Sequence, residues 1–401
     1  KHRFAMTESC DVAIIGAGLV GASLALALAP ARLRVALVEP RAPAAAATGD
    51  AWDSRIYAIS PGSAAFLASI GAWQTAPTAD GARIARVETM RIFGDAPASQ
   101  FEFSAYEAGL SELAFIAESG RLQIALWEQL QQLADAEHVT RYCPAVCEHM
   151  TQHPDATEIR LDDGTTLRAK LVVGADGAHS WVRTAAGIKV HTQAYAQHGV
   201  VANFSCALPH RDTAFQWFRD DGVLALLPLP GNRVSMVWST DDAHARELVA
   251  LDPETLARQV GEAAQNALGA LDVITPAAAF PLNLQRVTAF VQPRLALVGD
   301  AAHNVHPLAG QGVNLGFRDA RELAAVLSDR GAQTDCGDYA LLRCYERARK
   351  EDVLTLQLAT DGLQKLFASK AVWLSRARNL GVDLLGRQPL LRNLLVKHAI
   401  A

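Results

Sequence analysis

Three stretches of the sequence combine glycines with a well-placed acid or base, and each could do chemistry on a phosphate-bearing ligand. In Gly16-Ala17-Gly18-Leu19-Val20-Gly21, Gly16 permits a tight turn, Gly18 lets backbone approach a pyrophosphate, and Gly21 lets a helix lie against a strand. The helix that opens there offers unpaired N–H groups and the positive end of its dipole to phosphate oxygens. Glu39 closes the next apolar run, about twenty residues on, where a carboxylate accepts hydrogen bonds from ribose hydroxyls. An acid at that place favours an adenosine ribose without a 2′-phosphate.

The second stretch, Gly174 to Arg183 (GADGAHSWVR), comes after another apolar run. In isolation it reads as a turn; beside the first motif, Asp176 could hold a loop against the ligand and Arg183 could bring charge to a phosphate. The third, Leu297 to Ala320 (LVGDAAHNVHPLAGQGVNLGFRDA), is the longest and most specific. Asp300 ends a short apolar strand, at the edge where α/β sheets bind ligands. Gly310, Gly312 and the helix after them can present N–H groups to a carbonyl or a developing anion. His303 and His306 lie inside this run; each could transfer a proton, or serve only by hydrogen bonding within the loop.

The elements that must position these residues alternate between strand and helix. Asp11 to Ile15 reads as a buried strand, Ala22 to Ala29 as a helix stopped by Pro30, and Arg34 to Glu39 as a second strand. Together they make a βαβ unit of about thirty residues. Pro40 to Gly49 is a loop rich in alanine and proline. Ala82 to Phe103 alternates like strand, Glu118 to Leu133 is an amphipathic helix, and Ala169 to Gly174 is a buried strand. Val200 to Ser239 is mostly β, Asp252 to Leu268 helical, and Arg294 to Val298 a last buried strand. Asn314 to Leu327 and the chain after Asp335 read as helix. The expected fold is α/β: a discontinuous Rossmann-like cofactor domain (6–80, 116–185, 282–334), an inserted β-sheet substrate domain (81–115, 186–281) and a C-terminal helical region (335–401).

Length and charge narrow the function. The chain has 401 residues, enough for two or three structural units, and its formal net charge of -5 argues against a general nucleic-acid binder. Its 6 cysteines make no CxxC pair and no zinc-site spacing, so no metal is expected and reduced thiols in a cytoplasmic protein are the reading. Glycines interrupt the apolar run from Val12 to Ala29 before it makes a clean membrane span. Met6 reads as the natural first residue. Near the C-terminus, Lys365, Lys370, Arg376, Arg378, Arg387, Arg392 and Lys397 stand among leucines and Trp373. They form either a solvated face over a helical core or a surface for docking to a partner or to the inner face of a membrane.

With these motifs in view, the sequence resembles the class A flavoprotein aromatic hydroxylases, the group of para-hydroxybenzoate hydroxylase. Within that group it is similar to the UbiH/UbiF/VisC branch that hydroxylates ubiquinone precursors. The resemblance runs from Asp11 to about Asn393 and includes DSRIYAIS (Asp53 to Ser60), ESGRLQIAL (Glu118 to Leu126), LALLPLP (Leu224 to Pro230), YERARKED and TDGLQKLF. It implies FAD as cofactor, with Glu39 on the adenosine ribose and Gly18 at the pyrophosphate. Arg55 would flank the flavin, Arg121 would meet the phosphate or ribityl region, and Asp176 would serve both FAD and a passing nicotinamide nucleotide. Asp300 would bind the ribityl chain. Gly312, Val313 and Asn314 would approach the isoalloxazine ring, and Pro307 would sit at its reacting face. Two departures, the early helix end at Pro30 and the alanines Ala44 to Ala47, leave the edge of the adenine pocket open.

The implied reaction begins with NAD(P)H reducing the flavin. O2 then adds to give a C4a-hydroperoxide that passes one oxygen to an electron-rich ring. The protein must exclude water, or the intermediate decays to hydrogen peroxide. No second GxGxxG appears, so the reductant either binds transiently across the FAD domain or is an electron-transfer partner. Trp217 and Phe218 are candidates for the substrate pocket, with core packing as the alternative, and Arg219 reads as a surface charge. The leading substrate is a polyprenyl phenol or quinol of ubiquinone biosynthesis, handled alone or within a biosynthetic complex. A small soluble aromatic acid, which would want a cationic pocket, is one rival; a non-catalytic FAD-binding member of such a complex is another. A flavin halogenase is disfavoured, because no WxWxIP-like segment is present.

Overall fold

Strand Thr7–Ile15 pairs in parallel with Val35–Val38 on one side and Thr166–Gly174 on the other, and Thr166–Gly174 pairs in parallel with Leu295–Leu297. The computed structural model that shows this describes residues 7–45, 49, 51–73, 82–94, 100–134, 138–304 and 312–368. Val139–Tyr142 extends this first sheet beyond Val35–Val38, and Val291–Gln292 closes its far edge. The register aligns Ile15 with Val38 and with Gly174, and Gly174 with Leu297. Four strands therefore end in one row, and the chain leaves those ends through Gly16, Glu39, Ala175-Asp176 and Val298-Gly299-Asp300. Motifs up to 284 positions apart in the sequence (300 minus 16) are neighbours along one sheet edge.

The strands of this sheet are near-continuous runs of Val, Ile, Leu and Ala because both faces are covered, as parallel sheets require. Helix Leu19–Leu28 and helix Gly312–Ser328 pack against each other on one side, with Leu24, Leu28, Leu315 and Leu323 all buried. Helix Ser119–Ala134 buries Leu122, Leu126 and Leu130, one turn apart each time. The first helix begins three residues earlier than the pattern suggests. Gly18, its extended N-cap, starts it directly, and a 3-10 turn at Ala29–Ala31 carries Pro30 past its end.

A second, antiparallel-rich sheet orders its strands as His303–Asn304, Leu271–Val287, Val190–Cys206, Arg233–Asp241, Gly222–Leu229, Thr213–Arg219, Thr89–Phe93 and Gln100–Ser104. Period-two alternation gives it two apolar faces. One, with Phe204, Trp217, Leu226 and Trp238, is covered by helices Asp242–Ala250 and Pro253–Ala263. The other, with Ala214, Leu227 and Leu229, packs on Trp52, Val87 and Ile116 around a three-stranded sheet of Ile56–Ile59, Ala114–Glu118 and Ala85–Val87. The single helix expected over Asp252 to Leu268 is instead the second of a pair. Asp252 is extended (ψ 159°), as the residue before a proline prefers, and its carboxylate caps the helix by accepting the Thr255 N–H at 3.0 Å. Helix Tyr339–Ala368 packs on Gly312–Ser328.

Candidate active site

At the glycine motif the three glycines have different reasons to be glycine. Gly16 has φ +98°, and a β-carbon there would stand 2.5 Å from the Ala175 carbonyl oxygen; one on Gly21 would stand 1.9 Å from that of Gly16. Gly18 would meet no described atom within 4 Å. Its openness serves no packing need of the protein, and it lies at a helix N-terminus without a side-chain cap, the arrangement a pyrophosphate uses. Glu39 is held over this loop: its Oε2 accepts the Ala17 N–H at 2.7 Å, while Gln123 Nε2 donates to the Ala17 carbonyl at 2.6 Å.

Asp300 is solvent-accessible, yet protein crowds it closely enough that burial raises its pKa, against the pull of His303 and Arg55. Asp300 thus lies, reachable from solvent, where the strand ends of the first sheet meet Arg55 and Tyr57, and the opening between them is the candidate cleft. Arg55 is exposed beside it, its guanidinium carbon 5.4 Å from the centre of the Tyr57 ring. Burial lifts the Tyr57 hydroxyl above its ordinary value, opposed by Arg55 and reinforced by Asp300. These three side chains come from Arg55–Tyr57 and from the Gly299–Asp300 turn, which belong to different sheets and meet only through tertiary packing. Behind them Asp53 bridges two elements, its Oδ1 accepting the Arg55 N–H at 2.8 Å and its Oδ2 the Gly120 N–H at 2.9 Å. Arg121 reaches the Glu118 carboxylate at 3.3 Å. Glu118 is 1% exposed and also meets Arg83 at 3.4 Å and the Asp53 N–H at 2.8 Å; burial still raises its pKa.

Asp176 accepts the Val182 N–H through Oδ2 at 3.0 Å, whereas its buried Oδ1 has no hydrogen-bond partner among the described residues. A buried carboxylate oxygen without a donor is costly, and a ligand hydroxyl or amide would relieve it. Arg183 does not supply charge to a phosphate. It is 6% exposed, and its guanidinium donates to the carbonyls of Ala301 at 3.0 Å and Ala178 at 2.8 Å, tying the second motif to the third.

In the third motif, a β-carbon on Gly312 would meet no described atom within 4 Å, Val313 packs against the first core, and Asn314 is buried. The Asn314 amide accepts the Ser60 N–H at 2.9 Å and donates to the Ala58 carbonyl at 2.8 Å, so its side chain braces the strand behind Arg55 and Tyr57. His303 is 2% exposed, with Nε2 2.6 Å from the Asp319 carboxylate; the local hydrogen bond is what this ring makes. His306, Pro307 and Gly310 lie outside the described residues, as do the C-terminal basic residues from Lys370 onward. Trp217 is corrected: it stacks on Phe93 (5.2 Å) and Phe215 (5.8 Å) on the helix-covered face, turned away from the cleft. Phe218, its neighbour in the strand, alternates to the other face and is half-buried. Arg219 is not free at the surface but ion-paired to Asp221 at 2.8 Å.

Sequence reasoning passed over Tyr57, Glu118, Asp319 and Arg349. Each stands inside a quoted motif, but none carries a spacing signal, because its partners come from distant segments.

A parallel sheet whose glycine motifs converge on one row of strand ends, beside a second, antiparallel-rich sheet, is the architecture of the flavoprotein monooxygenases of the para-hydroxybenzoate hydroxylase fold. The chain belongs to the FAD-binding domain family, whose model matches residues 9–356, and it is an FAD-dependent monooxygenase acting on an aromatic substrate with O2. It is 36% identical over 396 residues to a 3-demethoxyubiquinol 3-hydroxylase of Escherichia coli (98% of this chain, 99% of the relative). It is 34% identical to ubiquinone hydroxylase UbiL of Rhodospirillum rubrum (97% and 89% covered). The mitochondrial ubiquinone biosynthesis monooxygenase COQ6 of Homo sapiens is 32% identical (93% and 88% covered). Among solved structures, P. aeruginosa PqsL in complex with 2-aminobenzoylacetate superposes with a TM-score of 0.76 at 25% identity, covering 94% of this chain and 100% of that one. The p-nitrophenol 4-monooxygenase PnpA of Pseudomonas putida, at 19% identity and a TM-score of 0.77 (98% and 99% covered), shares the fold. Among the described residues no helix is long and apolar enough to cross a membrane.

Proposed function

We propose that this enzyme hydroxylates the aromatic ring of a polyprenylated phenol or quinol on the route to ubiquinone, with NAD(P)H as transient reductant. Besides the likeness to ubiquinone hydroxylases, one feature of the site carries the choice of substrate. Midway along the central strands the cleft-facing positions Asn203, Gln216, Phe218, Ala225, Leu227 and Val237 carry no charged side chain, and Arg233, at the strand end on the same face, lies over the Trp52 ring. Along these middle positions a carboxylate would meet no counter-charge, whereas a neutral ring with an apolar tail is matched.

In this reading Gly18 and the helix behind it take the pyrophosphate, Glu39 the adenosine ribose, Asp176 Oδ1 a hydroxyl or amide, and Asp300 the ribityl chain beside Arg55. FAD, when bound and reduced, supplies the activated oxygen. The apolar strands and Phe218 keep water from the reacting ring. The chain works at the inner face of a membrane or within a biosynthetic complex, its basic C-terminal region making that contact; flotation of the full chain with anionic liposomes tests this, and no flotation excludes the membrane version. The substrate is tested by restoring the gene to cells that lack their ubiquinone hydroxylases. Ubiquinone should return with the wild type and not with Asp300→Ala. A folded, FAD-loaded protein that restores nothing in any such strain refutes the assignment.

A further inference from the structure

We propose that Asp319 and Arg349 are positioning residues for the flavin-facing turn, fixing the Gly299–Asp300 backbone and the His303 ring from behind the sheet edge. The inference rests on the FAD site and is independent of which ring is hydroxylated.

Asp319 is fully buried and divides its carboxylate between two tasks. Oδ2 accepts the Gly299 N–H at 2.9 Å and meets His303 Nε2 at 2.6 Å; Oδ1 accepts Arg349 Nε at 2.7 Å. Gly299 itself has φ +59°, a left-handed turn that needs such an anchor, and the next residue is Asp300. Arg349 donates a second bond to Asp352 at 2.7 Å, and Asp352 also meets Arg318 at 3.3 Å. Asp319 and Asp352 face the guanidiniums of Arg349 and Arg318, two carboxylates against two cations. Removing either Asp319 or Arg349 leaves the other's charge buried without its counter-ion.

The helix that carries Arg349 also holds the segments that lead into the turn. Tyr345 donates its hydroxyl to the Leu297 carbonyl at 2.9 Å, and Glu346 accepts the Phe290 N–H at 3.0 Å. Tyr345, Arg349 and Asp352 recur at helical spacing, so one face of Tyr339–Ala368 holds the strand that delivers the turn directly and the turn itself through Asp319. Apolar packing could anchor a helix more cheaply than buried ions. What the ions add is direction: one carboxylate sets a backbone N–H, an imidazole and a guanidinium at once, next to the acid at the candidate cleft.

The test compares Arg349→Met, Arg349→Lys and the double variant Asp319→Asn/Arg349→Met. Three quantities are read: thermal midpoint of the FAD-free protein, FAD dissociation constant by fluorescence titration, and visible circular dichroism of the bound flavin. Arg349→Met should weaken FAD binding about tenfold or more and alter the flavin bands, in keeping with the cost of small misplacements in prearranged sites. The double variant, freed of unpaired charge, should regain apo stability while FAD affinity and spectrum stay altered. Recovery of all three to within twofold of wild type would make the network a stability device and overturn the proposal. If Arg349→Met does not fold, Arg349→Lys decides: the charge is kept and the two-bond geometry lost, so an unchanged FAD affinity and spectrum equally overturns it.

Discussion

Replacing Gly18 by alanine should separate folding from cofactor binding. At this position φ is −62° and ψ −176°, values open to any residue, and a β-carbon meets no described atom within 4 Å. For the FAD-free protein two terms then oppose. Alanine restricts the unfolded chain, which stabilises by about 0.4–1 kcal/mol. Alanine is also the poorer N-cap, which costs roughly 0.5–1 kcal/mol relative to glycine. The sum lies within about 1 kcal/mol of zero, a change of at most about 4 °C in thermal midpoint for a chain this long. With FAD the added methyl stands where the pyrophosphate approaches the backbone. Loss of one hydrogen bond to a charged group, about 1.5–3 kcal/mol, weakens binding roughly tenfold or more. The assay strips FAD, measures the apo thermal midpoint, then titrates FAD by fluorescence. Gly21→Ala, with its β-carbon 1.9 Å from the Gly16 oxygen, is the control that should lose stability outright. Wild-type FAD affinity in Gly18→Ala, or an apo midpoint lower by about 10 °C or more, refutes the reasoning.

Burial and charge give two further expectations. Trp217→Ala should cost about 3–5 kcal/mol of stability, as large core truncations do, whereas Phe218→Ala should keep the midpoint and raise KM for the aromatic substrate; steady-state kinetics beside thermal melts will separate them, and the reverse pattern sinks the face assignment. Asp319 is held below the ordinary carboxylate range, burial opposing and His303 and Arg349 outweighing it, so its contribution is complete above the unfolded value near 4 and is lost as pH falls through the folded value. Apo melts of Asp319→Asn and wild type should therefore differ most near neutrality and converge below about pH 4; a constant gap counts against the network.

Much of the site was legible in the sequence because its backbone chemistry is local. GAGLVG specifies a turn, a close approach and a packing contact within a few residues, and the acid after the second strand sits one βαβ unit away. Asp300 comes directly after an apolar run short enough to be a strand end. The strand and helix periods that carry these motifs are also local, which is why the parallel sheet and the mostly β middle region could be read before any coordinates. Helix boundaries were less readable elsewhere: the helix capped by Asp252 ends at Ala263 rather than Leu268, and the one before it, Asp242–Ala250, gave no separate signal.

What tertiary structure alone decided is which partners each side chain finds. Arg183 looks free to meet a phosphate until the first sheet brings Ala301 beside it. Trp217 and Phe218 are adjacent aromatics with no sequence signal for which one faces the cleft; the pleat and the helices laid over one face choose. Asp319 and Arg349 are 30 positions apart on two helices, and their carboxylate–guanidinium contact exists only once those helices pack. Motif chemistry is written in neighbouring residues. Burial, pairing and pKa are properties of the whole assembled fold, because they depend on which distant groups exclude water from which charge.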